Sequence, residues 1–235
     1  MQSKKLGVVG GMGPLATSIY FERVIQRTVA SKDQDHIDMI ILNHATLPDR
    51  TQAIMNQSPE LFLTMMEKDL KTLELLEVDH IAIPCNTSHY YIEALKGMTQ
   101  VPIINMVEET ITEVENRYGK NARVGILATN GTIKTGTYEQ ACLKHDLIFV
   151  KPELEMQNKV MATIYDIKAD EAIDVFDFES IISYLVNEQN CQCVILACTE
   201  LSLIKLSDTV KSVCVDAMDV LVEKSILYSG KSLKK

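Results

Sequence analysis

A short apolar run that ends in a cysteine and a polar turn occurs twice in this chain of 235 residues. One run ends at Cys85 and the other at Cys198, 113 positions later. The apolar runs at 7–10 and 101–106 also recur, at offsets of 117 and 112 positions. Three matches in nearly the same register indicate a duplicated unit. The sequence therefore predicts two related lobes.

Short apolar runs alternate along the chain with longer segments of helical period. Strands that are apolar throughout are typical of parallel sheets covered by helices on both faces. The pattern predicts an α/β fold of two pseudo-symmetric, doubly wound parallel-sheet lobes. We assign residues 1–98 plus 212–235 to the first lobe and residues 99–211 to the second. Because such sheets bind ligands at the carboxyl ends of their strands, we expect the functional site in the cleft between the lobes. The predicted strands lie at 6–9, 39–42, 81–84, 102–105, 124–128, 147–150, 194–197 and 212–215.

The composition excludes several classes of protein. A net charge of −9 argues against nucleic acid or an anionic membrane surface as the main partner. Six cysteines without regular spacing do not resemble a secreted disulfide framework, and they fit reduced thiols in the cytoplasm. No uninterrupted apolar stretch reaches the roughly 18 residues of a transmembrane helix. We therefore expect a cytoplasmic protein that binds a small molecule.

Two thiols at equivalent positions suit proton transfer at a carbon acid. One group removes a proton from one face of the carbon while the other delivers a proton to the opposite face. The pKa of a free thiol lies near 8.5, and helix N-termini or polar neighbours lower it. Asn86 and Thr87 follow Cys85, and Thr199 follows Cys198. The alternative is that both cysteines are inert core residues, as we expect for the other four. No second cysteine or histidine pair stands at zinc-ligand spacing, so we predict no metal site.

Two turns at equivalent positions offer backbone and side-chain donors. The glycine-rich turn at 10–14, which includes Met12, follows a predicted strand and opens a helix, so its N–H groups are suited to an anion such as a carboxylate. The same turn matches the dinucleotide fingerprint G-x-G-x-x-A weakly, because the second strand ends at Asn43 and not at an acidic residue. This match alone makes a nicotinamide-dependent oxidoreductase an alternative. The equivalent turn of the second half offers Thr129, Asn130, Gly131 and Thr132.

Two cations stand near the predicted cleft loops. Arginine grips a carboxylate with two parallel hydrogen bonds, so Arg50 is a candidate for binding an acidic ligand, and Lys168 is a second. The alternative is that each is a solvated surface charge. We expect His44 and His89, which lie near the same loops, to be hydrogen-bonding residues and not catalysts.

Five segments, taken in their order along the chain, resemble those of a known family. The family is the aspartate/glutamate racemases that work without pyridoxal phosphate. The resemblance implies that no cofactor is used, that the protein is a homodimer, and that Cys85 and Cys198 face opposite sides of the substrate α-carbon as acid and base. The segments are 10–17, 48–51, 84–89, 127–132 and 197–201.

The resemblance also implies a set of substrate contacts. It assigns Arg50 and Lys168 to the carboxylates of the substrate. Glutamate racemases of the cell-wall type usually open with an Asp-Ser-Gly turn and have histidine after the second Cys-Thr, whereas this chain has Gly11-Met12-Gly13 and Glu200. These departures favour the aspartate or broad-specificity branch. The other implied contacts are Met12, Asn86, Thr87, Thr129, Asn130, Gly131, Thr132, Thr199 and Glu200.

The leading interpretation is a cofactor-independent racemase that interconverts L- and D-aspartate, with glutamate left open as a second substrate. A related dicarboxylate isomerase or decarboxylase is an alternative, because such enzymes use the same cleft and thiols. A non-catalytic amino-acid-binding protein is a second alternative, since a fold alone does not determine activity.

Overall fold

The computed structural model of this chain describes residues 4–234, so the predicted lobe limits at 1 and 235 lie outside it. Among these residues, no helix is both long enough and apolar enough to cross a membrane. The strands are β1 (Leu6–Gly10), β2 (Met39–Asn43), β3 (His80–Ala82), β4 (Arg123–Ala128), β5 (Ile148–Val150), β6 (Cys193–Ala197) and β7 (Cys214–Asp216). The helices are α1 (Pro14–Arg27), α2 (Arg50–Met55), α3 (Glu60–Leu75), α4 (Ile92–Lys96), α5 (Met106–Tyr118), α6 (Asn130–Thr135), α7 (Thr137–Lys144), α8 (Leu154–Lys168), α9 (Val175–Asn187), α10 (Asp208–Lys211) and α11 (Ala217–Tyr228).

The strands form two parallel sheets with the same order. The first sheet is β2-β1-β3 and the second is β5-β4-β6-β7. A single parallel bridge between Ile81 and Ile103 extends the first sheet on the side where β7 extends the second. Helices cover the sheets, as parallel strands require. The predicted α/β fold with two pseudo-symmetric lobes is confirmed.

The strand pairing departs from the predicted lobe boundaries at two places. β7 pairs with β6 in the second sheet, although the prediction places residues 212–235 in the first lobe. Ile103 pairs with Ile81 in the first sheet, although the prediction places it in the second lobe. An apolar strand sequence does not identify its partner. Ile103 lies beside β3, the strand that leads to Cys85, and β7 lies beside β6, the strand that leads to Cys198.

Three clusters of buried side chains form the core. One cluster spans both sheets and includes Val8 of β1, Ile126 of β4 and Ile195 of β6 together with residues of α1, α5 and α11. The other two lie on the outer face of one sheet each, against α3 and against α8 and α9. Burial of apolar surface stabilises the fold by about 25 cal/mol per Å². The shared cluster joins the two lobes into one packed unit.

Two helices begin at equivalent side-chain caps. The Oδ1 atom of Asn105 accepts the N–H groups of Val107 and Glu108 at the start of α5. The Oδ1 atom of Asp216 accepts the N–H group of Met218 at the start of α11. Such a cap is worth about 1 kcal/mol relative to alanine. The duplicated pattern therefore extends from the strands to the starts of the helices that follow them.

A histidine between two glutamates links α5 to the end of α7. The Nδ1 atom of His145 lies 2.6 Å from Glu115 Oε2, and its Nε2 atom lies 3.0 Å from Glu108 Oε1. The hydrogen bonds that His145 donates, to Glu108 first and then to Glu115, raise its pKa above the ordinary value of 6.5. Because the pKa of the folded state is the higher one, the pairs stabilise the fold fully below pH 6.5 and lose this effect as the pH rises through the folded-state pKa.

We expect His145→Gln to lower the melting temperature at low pH, and this difference from the wild type to shrink as the pH rises. Thermal unfolding followed by circular dichroism between about pH 5 and pH 9 measures it. Lys120→Gln is the control, because Lys120 pairs with Asp146 at 2.8 Å and both groups stay charged across that range. A His145→Gln difference that stays constant with pH would show that these contacts do not depend on the histidine charge.

Candidate active site

The carboxyl ends of the strands of both sheets face one cleft, which is lined by residues from both lobes. The cavity has a volume of about 10 Å³, close to what one water molecule needs. The cleft must therefore widen to admit a larger ligand. It is lined by Met12, Asp49, Arg50, Thr51, Cys85, Asn86, Thr87, Thr129, Lys168, Cys198, Thr199 and Glu200.

The two cysteines reach the cleft through the same local structure. Cys85 comes three residues after β3 ends, and Cys198 comes directly after β6. Each of these strands pairs with the first strand of its lobe, with Ala82 opposite Val8 and Ala197 opposite Ala128. Both thiols are buried, with 5% and 6% of the residue exposed, and both line the cleft. The predicted convergence of the duplicated cysteines is therefore seen in the structure.

Cys198 carries a hydrogen bond to a buried carboxylate. Its Sγ atom donates to Glu200 Oε2 at 2.9 Å, and the Thr199 hydroxyl reaches the same oxygen at 3.4 Å. Burial, and then the charge of Glu200, raise the pKa of Cys198 well above its ordinary value. Cys198 is therefore a thiol at neutral pH. The other oxygen, Oε1, has no hydrogen-bond partner among residues 4–234 and lies beside Gly13 at the start of α1.

The two predicted cations both line the cleft, in different settings. Arg50 is buried, and its Nη1 atom donates to the carbonyls of Pro48 at 3.0 Å and Leu47 at 3.4 Å. Among the described residues, the Arg50 Nε atom has no hydrogen-bond partner, and the Arg50 side chain forms no ion pair. Lys168 is exposed along much of its length. Desolvation lowers the pKa of Lys168, but the nearby Glu200 and then Cys198 outweigh it and raise the pKa overall.

His89 holds the backbone beside Cys85 and is neutral. Its Nε2 atom accepts the N–H group of Met106 at 3.1 Å, so the proton is on Nδ1, which donates to the Cys85 carbonyl at 2.9 Å. Burial lowers the pKa of His89. His44 binds Asp69 at 2.7 Å and does not line the cleft. Both histidines are hydrogen-bonding residues, as predicted.

Three of the predicted substrate contacts lie behind the cavity lining. Asn130 Oδ1 accepts a hydrogen bond from Gln157 Nε2 at 2.9 Å. The Thr132 hydroxyl lies 3.1 Å from the Thr87 hydroxyl, across the two lobes. Gly131 comes so near the opposite lobe that a Cβ atom there would lie 3.1 Å from the Cα atom of Thr51. Gly131 and Thr132 therefore contact the opposite lobe, whereas Asn130 is held within its own lobe, in the turn that presents Thr129.

Two lining residues were not among the predicted contacts. Asp49 and Thr51 flank Arg50 and line the cleft with it. Asp49 also caps α2 by accepting the Gln52 N–H group at 2.8 Å. The segment 48–51 carries the resemblance to the racemases, so a signal for both residues was present in the sequence. Only the arginine had a charge complementary to a carboxylate.

Comparison with known proteins places this architecture in a family. The sequence profile described as Asp/Glu/hydantoin racemase matches residues 9–225. A broad-specificity amino-acid racemase of Bacillus subtilis is 30% identical over 203 residues, which cover 85% of this chain and 86% of that protein. The solved aspartate racemase of Picrophilus torridus superposes with a TM-score of 0.83 at 28% identity and covers 99% of this chain and 96% of its own. An aspartate racemase homologue of Pyrococcus horikoshii shares the fold, with a TM-score of 0.78 at 21% identity.

These matches confirm the resemblance inferred from the sequence. The matched profile begins in β1 and ends in α11, so it spans both cysteines and both lobes. The matches to the Bacillus subtilis and Picrophilus torridus proteins each cover more than four fifths of this chain. The chain belongs to the Asp/Glu/hydantoin racemase family of isomerases.

Proposed function

We propose that this protein is a pyridoxal-phosphate-independent racemase that interconverts L- and D-aspartate, with Cys85 and Cys198 as the two acid/base groups. The observation that carries the proposal is that the thiols of two duplicated elements line one cleft. They share that cleft with Arg50 and Lys168, which provide positive charge for an acidic ligand. A racemase named for aspartate is also among the similar structures.

The proposed reaction uses one thiol as base and the other as acid. In one direction the Cys85 thiolate takes the α-proton, and the S–H group of Cys198 gives its proton to the opposite face of the carbon. The product leaves with Cys85 as thiol and Cys198 as thiolate, and the reverse reaction begins from that form. The Cys198 thiolate lies beside the Glu200 carboxylate, which disfavours it, and near Lys168, which favours it. These opposed charges set how easily Cys198 exchanges its proton.

The charges of the cleft suit a small dicarboxylate with an ammonium group. Arg50 and Lys168 provide one cation for each carboxylate, and Asp49 and Glu200 provide acceptors for the ammonium group. The similar solved structure named for aspartate favours the shorter side chain. One methylene group changes the free energy of binding by about 1–3 kcal/mol in a fitted pocket. Aspartate is therefore the proposed substrate ahead of glutamate.

A substrate panel tests this proposal. Both enantiomers of aspartate, glutamate, alanine and lysine are incubated with the purified protein without added cofactor, and chiral chromatography follows the products. We expect kcat/KM for aspartate to exceed that for glutamate by at least about tenfold. Turnover of lysine or alanine ahead of aspartate would instead place this chain with the broad-specificity relative.

Two alternatives have their own readouts. Conversion of maleate or release of carbon dioxide from a substituted malonate, with no racemisation, would identify an isomerase or decarboxylase. Calorimetric binding of aspartate without exchange of its α-proton would identify a binding protein. Either result would contradict the proposal.

Replacing Glu200 tests the charge beside the second thiol. We expect Glu200→Gln to lower the pKa of Cys198, because the neighbouring negative charge is removed and only burial still raises it. Activity requires one thiol and one thiolate, so the alkaline limb of the pH profile of kcat/KM should move down by about one pH unit. The measurement is the initial rate between about pH 6 and pH 10.

Glu179→Gln is the matched control, because it removes the same charge from a residue that does not line the cleft. Its pH profile should match that of the wild type. An alkaline limb that stays in place in Glu200→Gln would show that Cys198 does not set it. Since the two enantiomers are equal in energy, kcat/KM must be the same in both directions for every variant, which provides an internal check.

We propose further that the protein works in the cytoplasm as a homodimer. None of its six cysteines forms a disulfide, which supports a reducing compartment. Phe21, Ile25 and Val29 form an exposed apolar stripe on α1 and the residues after it, which supports contact with a second copy. Light scattering after size-exclusion chromatography measures the mass in solution. A mass equal to one chain at micromolar concentration would contradict the dimer.

A further inference from the structure

A tyrosine from the second lobe holds the amide that follows Cys85 in the first lobe. The Tyr138 hydroxyl, on α7, donates to Asn86 Oδ1 at 2.6 Å. Both residues are buried, with 1% and 2% exposed, and Asn86 lines the cleft. The contact crosses from one lobe to the other at the position next to a proposed catalytic thiol.

This hydrogen bond determines which way the Asn86 amide faces. A side-chain amide has one acceptor atom and one donor group, so engaging Oδ1 leaves Nδ2 on the other side. Nδ2 is buried and has no hydrogen-bond partner among residues 4–234. A buried donor without a partner is costly unless a ligand accepts a hydrogen bond from it. Burial raises the pKa of Tyr138, so its hydroxyl stays protonated and continues to donate.

We propose that Tyr138 is a positioning residue for the racemisation proposed above: it orients Asn86 so that Nδ2 donates to the substrate α-carboxylate. When the α-proton leaves, negative charge spreads from the carbon onto the carboxylate oxygens. A fixed donor at that place stabilises the transition state more than the ground state. The proposal rests on the proposed function, and it concerns a residue that does not touch the substrate.

Tyr138→Phe tests the proposal, and the chain offers a matched control. Tyr20 is also fully buried, and its hydroxyl also makes a 2.6 Å hydrogen bond, but its partner Ser225 does not line the cleft as Asn86 does. Tyr20→Phe therefore removes a similar hydrogen bond from a similar environment. We expect both variants to lower the melting temperature by a similar amount, about 2–4 °C.

Only Tyr138→Phe should change catalysis. We expect kcat/KM for aspartate to fall by about tenfold, equally in both directions and mainly through kcat, because the donor remains but is no longer held. Tyr20→Phe should match the wild type. Racemisation by Tyr138→Phe at the rate of Tyr20→Phe, alongside an active wild type, would overturn this inference and leave the proposed function standing. An inactive wild type would instead refute the proposed function.

A double-mutant cycle separates positioning from a general structural effect. Asn86→Ala removes the donor, so adding Tyr138→Phe to it should reduce kcat/KM no further. Two losses that multiply would contradict the proposal. Asn86→Asp keeps an acceptor for Tyr138 but has no N–H group, so it should lose activity as Asn86→Ala does while retaining its fold. Full activity in Asn86→Asp would overturn the proposal even if Tyr138→Phe does not fold.

Discussion

Replacing either Cys85 or Cys198 with alanine should reduce racemisation of aspartate in both directions by at least about a thousandfold. Each direction uses one sulfur to remove a proton and the other to deliver one, so neither direction survives the loss of one thiol. The loss of α-proton exchange should depend on the enantiomer. Cys198→Ala should still exchange the α-proton of the enantiomer whose α-proton faces Cys85. Cys85→Ala should still exchange the α-proton of the other enantiomer. Proton NMR in D₂O measures exchange, and chiral chromatography measures racemisation.

Cys142→Ala is the matched control for these variants. Cys142 is fully buried on α7, and it does not line the cleft. Burial raises the pKa of Cys142 to about 12, so it is an inert thiol at neutral pH. We expect this variant to racemise at the wild-type rate. Full racemisation by Cys85→Ala or Cys198→Ala would refute the two-thiol mechanism.

Arg50→Gln should lower kcat/KM for aspartate by at least about a hundredfold while leaving the melting temperature unchanged or higher. The two effects have one cause. Arg50 is a buried cation that donates to the backbone carbonyls of Leu47 and Pro48, and among residues 4–234 its charge has no ion-pair partner. A carboxylate in the cleft would compensate it. Initial rates and thermal unfolding of the same preparation measure both effects.

Arg117→Gln is the control for the loss of one arginine. Arg117 lies on α5, pairs with Glu113 at 2.6 Å and has 45% of its side chain exposed. It should affect neither activity nor stability by much, because exposed ion pairs contribute little. Arg50→Gln with wild-type kcat/KM would show that Arg50 does not bind the substrate. A large fall in its melting temperature would show that the charge is compensated within the fold.

The sequence was sufficient to predict the fold class and most of the cleft. Apolar runs of strand length, repeated at an offset of about 113 positions, predicted the two parallel sheets and the convergence of Cys85 and Cys198. The C-terminal helix α11 was not predicted, because its apolar residues surround it nearly completely and show no clear amphipathic face. The sequence also did not separate α6 from α7, which meet at Gly136, a residue with a φ of 64°.

The details around each thiol were beyond reach of the sequence, because equivalent positions have diverged. His89 and Ser202 both lie four residues after their cysteine. His89 accepts a hydrogen bond from the N–H group of Met106 at the start of α5. Ser202 instead donates to Asp216, which caps α11 by accepting a hydrogen bond from the Met218 N–H group. Both lobes thus link the turn after the cysteine to the start of a helix, one through an imidazole and the other through a hydroxyl and a carboxylate. Tyr138 likewise lies in an ordinary helical segment, and only the packing of the lobes brings it to Asn86.

In the proposed reaction, two thiols invert aspartate without a cofactor. The most direct measurement incubates L-aspartate and D-aspartate separately with the purified protein in D₂O, without cofactor, and follows the α-proton by NMR and the enantiomers by chiral chromatography. We expect the opposite enantiomer to form from each and to contain deuterium at the α-carbon, while the substrate recovered at early times keeps its proton. Absence of the opposite enantiomer from both incubations, or transfer of the original proton to the product, would contradict the proposed reaction.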